Sequence, residues 1–126
     1  MEYNQARELC DRWLPAWTGG RASVERLLSH YAEDCLYLDP ARPDGVTGHD
    51  ELRVYFTKLL TKNPHWSWEA AEIIPTAGGF VLKWQARIPA GARVVTLRGL
   101  DIVEVKEGLI KRNEVYFDRT LLMPLE

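Results

Sequence analysis

Apolar side chains recur at helical spacing in the first half of the chain and on every second residue in the second half. Ala6, Leu9, Cys10, Trp13 and Leu14 fall on one face of a helix over residues 3–14, with Trp17 one turn further on. Pro15 should end or kink that helix near Leu14, because its ring clashes with the preceding turn. Thr18-Gly19-Gly20 reads as a loop, and Ser23 as the N-cap of a short second helix that turns Val24, Leu27, Leu28 and Tyr31 inward. Cys35 to Asp39 reads as a short strand, terminated by Pro40 and by the turn-forming Arg42-Pro43-Asp44-Gly45. Thr47-Gly48-His49-Asp50 has the form of a capping box with Asp in place of Glu or Gln. It opens a third helix that runs to about Thr61 and buries Leu52, Tyr55, Phe56, Leu59 and Leu60, with Asn63-Pro64 as its stop.

From Trp66 the period changes to two. Trp66 to Ile74 is a strand in which Glu72 breaks the alternation, the mark of a bulge. Phe80, Leu82, Trp84, Ala86 and Ile88 alternate with Val81, Lys83, Gln85 and Arg87. Hairpin turns follow at Pro89-Ala90-Gly91-Ala92 and Glu107-Gly108, and the last strand runs from Leu109 to Asp118. The predicted layout is helix, helix, short strand, helix, then a meander of four strands. This is an α+β fold with three N-terminal helices over one face of a curved, mainly antiparallel sheet, and a central cavity between the layers.

A turn at Ala90-Gly91 sets Trp84 opposite Leu97, Leu82 opposite Gly99 and Phe80 opposite Asp101, and brings Asp101 near Asn113. Asp101 then lies mid-strand on an apolar face with Phe80, Leu82, Trp84, Asn113, Val115 and Phe117. A carboxylate there is costly unless it is hydrogen-bonded, paired or held protonated. The alternative is a surface pairing with Arg87 or Arg98. Asp39 shares a strand face with Cys35 and Tyr37, and an Asp before Pro is also a common turn residue.

Length and charge narrow the class. The chain has 126 residues, 46% of them hydrophobic, which suits one domain over 1–126. A net charge of −2 with no basic run argues against nucleic acid. No apolar run approaches ~18 residues, so no membrane span and a cytoplasmic protein are expected. Cys10, Cys35 and the scattered His30, His49 and His65 have no metal-ligand spacing, so no metal is expected, and acid-base chemistry by carboxylates needs no organic cofactor. Five Trp and five Tyr are many for this length, and they suit either a core or an apolar cavity with polar tips.

The run Tyr31-Ala32-Glu33-Asp34-Cys35-Leu36-Tyr37-Leu38-Asp39-Pro40 resembles a signature of nuclear transport factor 2-like proteins, as do Gly48 before the third helix and the pair Gly99-Leu100-Asp101-Ile102-Val103 and Glu107-Gly108-Leu109-Ile110. The resemblance covers essentially the whole chain and is nearest to the SnoaL-like group. That superfamily hosts isomerases, dehydratases, epoxide hydrolases, polyketide cyclases and non-catalytic binders, so it implies the fold more sharply than the activity. Within it, Asp39 matches the general base of ketosteroid isomerase, and Asp101 the protonated Asp that donates to the developing oxyanion. The match departs where that enzyme carries its oxyanion Tyr, since the first helix here reads Trp13-Leu14-Pro15. Its supporting Tyr aligns with Phe56, beside Tyr55. The Arg-and-two-Asp network of limonene epoxide hydrolase and the two His of scytalone dehydratase have no counterpart.

Two functions follow. One is acid-base catalysis on an apolar small molecule, of isomerase, cyclase or dehydratase type. Asp39 would be the proton shuttle and Asp101 with Asn113 the anchor or acid. Trp17, Tyr37, Tyr55, Phe56, Trp66, Trp68, Trp84 and Phe117 would contact the ligand. The other is a non-catalytic binding or assembly module. The resemblance also implies a homodimer through the outer sheet face, where Lys83, Gln85, Arg87, Arg98, Arg112, Glu114 and Tyr116 lie.

Overall fold

The computed structural model describes residues 1–119. Its helices are α1 (Tyr3–Trp13), α2 (Val24–Leu28) and α3 (Gly48–Lys62), with 3-10 turns at Leu14–Trp17 and Gly20–Ser23. The strands are β1 (Tyr31–Asp39), β2 (Arg42–Thr47), β3 (Ser67–Pro75), β4 (Gly79–Ala90), β5 (Arg93–Lys106) and β6 (Leu109–Phe117). They form one open sheet in the order β2-β1-β6-β5-β4-β3. Every neighbouring pair is antiparallel except β1 with β6, so the sheet is mixed. Pro15 sits in the first turn of the 3-10 segment that follows α1, where its missing N–H costs nothing.

Several local expectations are corrected. Residues 42–45 do not simply end β1. They turn back as β2, an edge strand on which Pro43 is tolerated because one side of its backbone needs no partner. Tyr31 is the first residue of β1 and not part of a helix. Ser23 does not cap α2 with its side chain; its Oγ donates to the carbonyl of Thr18. The Thr47 N–H is taken by Glu51, one residue beyond Asp50, and Asp50 pairs with Arg53. The β4–β5 turn pair is Gly91-Ala92, since Ala90 lies opposite Arg93. The register is therefore displaced by two residues: Trp84 faces Gly99 and Leu82 faces Asp101. Because side chains alternate with period two, this displacement leaves every residue on the expected face. The β3 irregularity falls between Ala70 and Glu72, as the broken alternation indicated.

The core lies between the helices and one sheet face. Leu9 and Trp13 of α1, Leu27 of α2, and Leu52, Phe56 and Leu60 of α3 are buried against Phe80, Leu82, Val103 and Ile110. Each such side chain contributes about 1.5–3 kcal/mol by leaving water. One close approach fixes the geometry near the site. The indole of Trp84 lies so tightly over Gly99 that a Cβ there would sit 2.2 Å from Trp84 Cζ2. On the opposite face, Arg112 pairs with Glu104 and Glu114, Tyr116 donates to Glu114, and Lys83 pairs with Glu72. Among the described residues no helix is long and apolar enough to cross a membrane.

Candidate functional site

A pocket with a cavity volume of about 80 Å³ lies between the sheet and the helices, and both Asp39 and Asp101 line it. Its apolar walls include Trp17, Tyr37, Trp66, Trp68, Trp84 and Phe117. These rings form two contacting groups: Trp17 touches Tyr37 and Trp68, which touches Trp66, and Trp84 meets Phe117 edge-on at 5.8 Å. Of the remaining residues expected at the site, Tyr55, Phe56 and Asn113 do not line the pocket. Phe56 is fully buried core, Tyr55 stands behind Asp39, and Asn113 stands behind Asp101. Leu14, Leu59, Leu60, Asn63, Leu97 and Val115 complete the lining. Periodicity marked most of these as buried but could not say which buried residues border a void.

The two carboxylates have different shells. Asp39 closes the β1–β2 hairpin, and its Oδ1 accepts from the backbone N–H of Ala41 and of Arg42, at 2.8 and 2.9 Å. Its Oδ2 accepts from Tyr37 Oη at 2.8 Å and Tyr55 Oη at 2.5 Å. A carboxylate offers about four lone-pair sites, so all of them are occupied. Burial, together with the Asp39 charge, pushes both phenols well above the ordinary tyrosine value, which keeps them as donors.

Asp101 is 4% exposed and accepts two hydrogen bonds, from Trp84 Nε1 at 2.7 Å and Asn113 Nδ2 at 3.0 Å. Two lone-pair sites are left over. Burial pushes its carboxyl up from 3.8 to about 6. The bonds from Asn113 and Trp84 work against that rise, and the charge of Asp39 adds to it. Behind Asp101 the polar chain continues: Tyr31 Oη donates to Asn113 Oδ1 at 2.8 Å and accepts from Trp13 Nε1 at 3.2 Å. Sequence reasoning does not place Tyr31 or Trp13 at the site: it turns both inward and makes neither a partner of Asp101. Among the described residues no three His, Cys, Asp or Glu side chains come together as metal ligands would.

The SnoaL-like domain family matches residues 10–113, from α1 to Asn113 itself. The chain belongs to that family. No curated protein matches this SnoaL-like chain at the sequence level. Its fold is shared with solved structures at low identity. A proposed SnoaL-like polyketide cyclase from Jannaschia sp. CCS1 superposes with a TM-score of 0.78 at 10% identity, over 94% of this chain and 89% of the other. A proposed hydroxylase from Streptomyces galilaeus gives 0.74 at 12% identity, over 96% and 94%. A protein with a ketosteroid isomerase-like fold from Catenulispora acidiphila, solved with trimethylamine, gives 0.74 at 15% identity, over 88% and 85%. At these identities the likeness establishes the ketosteroid isomerase-like fold alone.

Proposed function

We propose that this SnoaL-like protein binds an apolar small molecule between its helices and sheet, and moves a proton on it with Asp101, as an isomerase, cyclase or dehydratase would, without a cofactor. The observation that carries this reading is the half-satisfied, buried Asp101, whose carboxyl is held near 6 on an aromatic wall. A general acid or base works best when its pKa lies near the operating pH, and such a group contributes roughly 10²–10⁴-fold. Asp101 would take a proton from one atom of the substrate and return it to another. Asp39 has a different part. With its lone pairs occupied, it anchors the Tyr37 hydroxyl at the pocket wall and the Tyr55 hydroxyl behind it. The pocket is narrow for a whole ligand, since pockets that hold drug-sized molecules span roughly 300–1,000 Å³. A flat substrate would enter edge-on and displace aromatic side chains.

The test needs no knowledge of the natural substrate. A panel of flat cyclic ketones is incubated in D₂O and deuterium uptake beside the carbonyl is followed. The expected result is enzyme-dependent exchange with a half-maximal pH near 6, lost in Asp101→Asn. Exchange that survives in Asp101→Asn, or a wild-type Asp101 that titrates in the ordinary carboxylate range, would sink the proposal.

A second reading is binding without turnover. It is favoured by aromatic lining with two carboxylates and, among the described residues, no cation, which is also the chemistry that holds an ammonium group. The Catenulispora neighbour was solved with trimethylamine. Choline quenching the tryptophan fluorescence at concentrations where its neutral isostere 3,3-dimethylbutan-1-ol does not would favour this reading. For either function we propose a homodimer through the outer sheet face, to be read from light scattering.

A further inference from the structure

Asn113 is fully buried, and both ends of its amide are used inside the protein. An amide can exchange its oxygen and nitrogen by a half-turn, so something must decide which end meets Asp101. The answer begins 18 residues upstream of Tyr31. The indole N–H of Trp13 can only donate. Tyr31 Oη must therefore accept from it and send its own single proton elsewhere, which is toward Asn113. Only the amide oxygen can take that proton, so the amide nitrogen is left facing Asp101. Donor polarity thus runs one way, from α1 through β1 and β6 to β5.

We propose that Tyr31 is a positioning residue for Asp101: its hydroxyl, polarised by Trp13, locks the Asn113 amide so that the carboxyl always meets a donor and never an acceptor. This rests on the reading in which Asp101 transfers the proton. The lock holds one oxygen of Asp101 from behind and, with Trp84 on the other, fixes the plane of the carboxyl at the pocket wall. It also favours the ionised form, the state in which Asp101 can act as a base. Among the described residues, the other titratable groups that interact with Asp101 are Cys10 of α1, Tyr31 itself and Asp39 of β1. The two of these on other side chains than Tyr31 stay unchanged in the variants below.

The experiment is the titration of the Asp101 carboxyl carbon by NMR in wild type, Tyr31→Phe and Trp13→Phe. Without the tyrosine proton the amide is free to flip and present its oxygen, which accepts a proton from the acid form. The Asp101 midpoint should then rise by about one pH unit in Tyr31→Phe, with a smaller rise in Trp13→Phe. In an Asn113→Leu background, where no amide remains to orient, Tyr31→Phe should add nothing further to the midpoint. This coupling separates orientation from general loosening, which would lower thermal stability in both backgrounds alike. A midpoint unmoved in Tyr31→Phe, or moved equally with Asn113 absent, overturns the proposal. Should Tyr31→Phe fail to fold, the Trp13→Phe titration decides, and an unmoved midpoint there overturns it. A wild-type midpoint in the ordinary range overturns the proposed function instead, so the two failures are distinct.

Discussion

Asp39 and Asp101 line one pocket and differ in how many donors they meet. Asp39 sits at a strand end, where the chain reverses and leaves two peptide N–H groups pointing at it, and two phenols fill its second oxygen. Asp101 sits mid-strand, where its neighbours' peptide groups are committed to the ladder and only side chains can serve it. Position in a strand thus decides how many donors a buried carboxylate meets: four at the hairpin for Asp39, two in the ladder for Asp101. The comparison with ketosteroid isomerase implies the proton shuttle at Asp39; the proposed function puts it at Asp101.

The comparison can be broken in several ways, and the largest effect is expected at Trp84. Trp84→Ala removes a buried indole and one of the two donors to Asp101, and should cost about 3–5 kcal/mol in urea denaturation. It should also raise the Asp101 midpoint, since a bond favouring the ionised form is lost. Next is the pH dependence of stability. The folded Asp101 midpoint, about 6, lies above its ordinary 3.8. Its protonated form therefore stabilises the fold at low pH, and that contribution is lost as pH rises from about 4 to 6. The size is about 3 kcal/mol. Wild type minus Asp101→Asn, measured by denaturation at several pH values, should show that loss; a flat difference would refute it. Asp39→Asn should cost about 1–3 kcal/mol, because one amide cannot accept all four donors, and should lower the Asp101 midpoint by removing a nearby charge. Smallest is Tyr55→Phe, about 1 kcal/mol by the same denaturation, with an Asp39 lone pair set free.

Much of this was legible in the chain. Period-two alternation placed Asp101, Trp84 and Asn113 on one face, and a turn misplaced by a residue at Gly91-Ala92 shifted the pairing by two without moving any of them off it. The Cys35, Tyr37, Asp39 face was also readable. What was hidden depended on side chains meeting across long separations. Tyr31 and Asn113 are 82 residues apart, and the direction of their bond follows from an indole on a third element. Likewise β2 was masked by Pro43 and Gly45, which read as breakers until the strand is seen to lie at an edge. The parallel β1–β6 pairing is a choice of tertiary topology that local pattern does not encode.

The fit of Trp84 over Gly99 has a consequence for how this site can change by mutation. Any side chain at position 99 collides with the indole, so a residue there forces Trp84 to move or to be replaced. A lineage leaving this arrangement moves the indole or changes position 84, and either step disturbs the N–H that holds Asp101. Among relatives of this chain, residues 84, 99 and 101 should therefore vary as one unit, with a larger residue at 99 found where both the tryptophan and its carboxylate partner have been replaced.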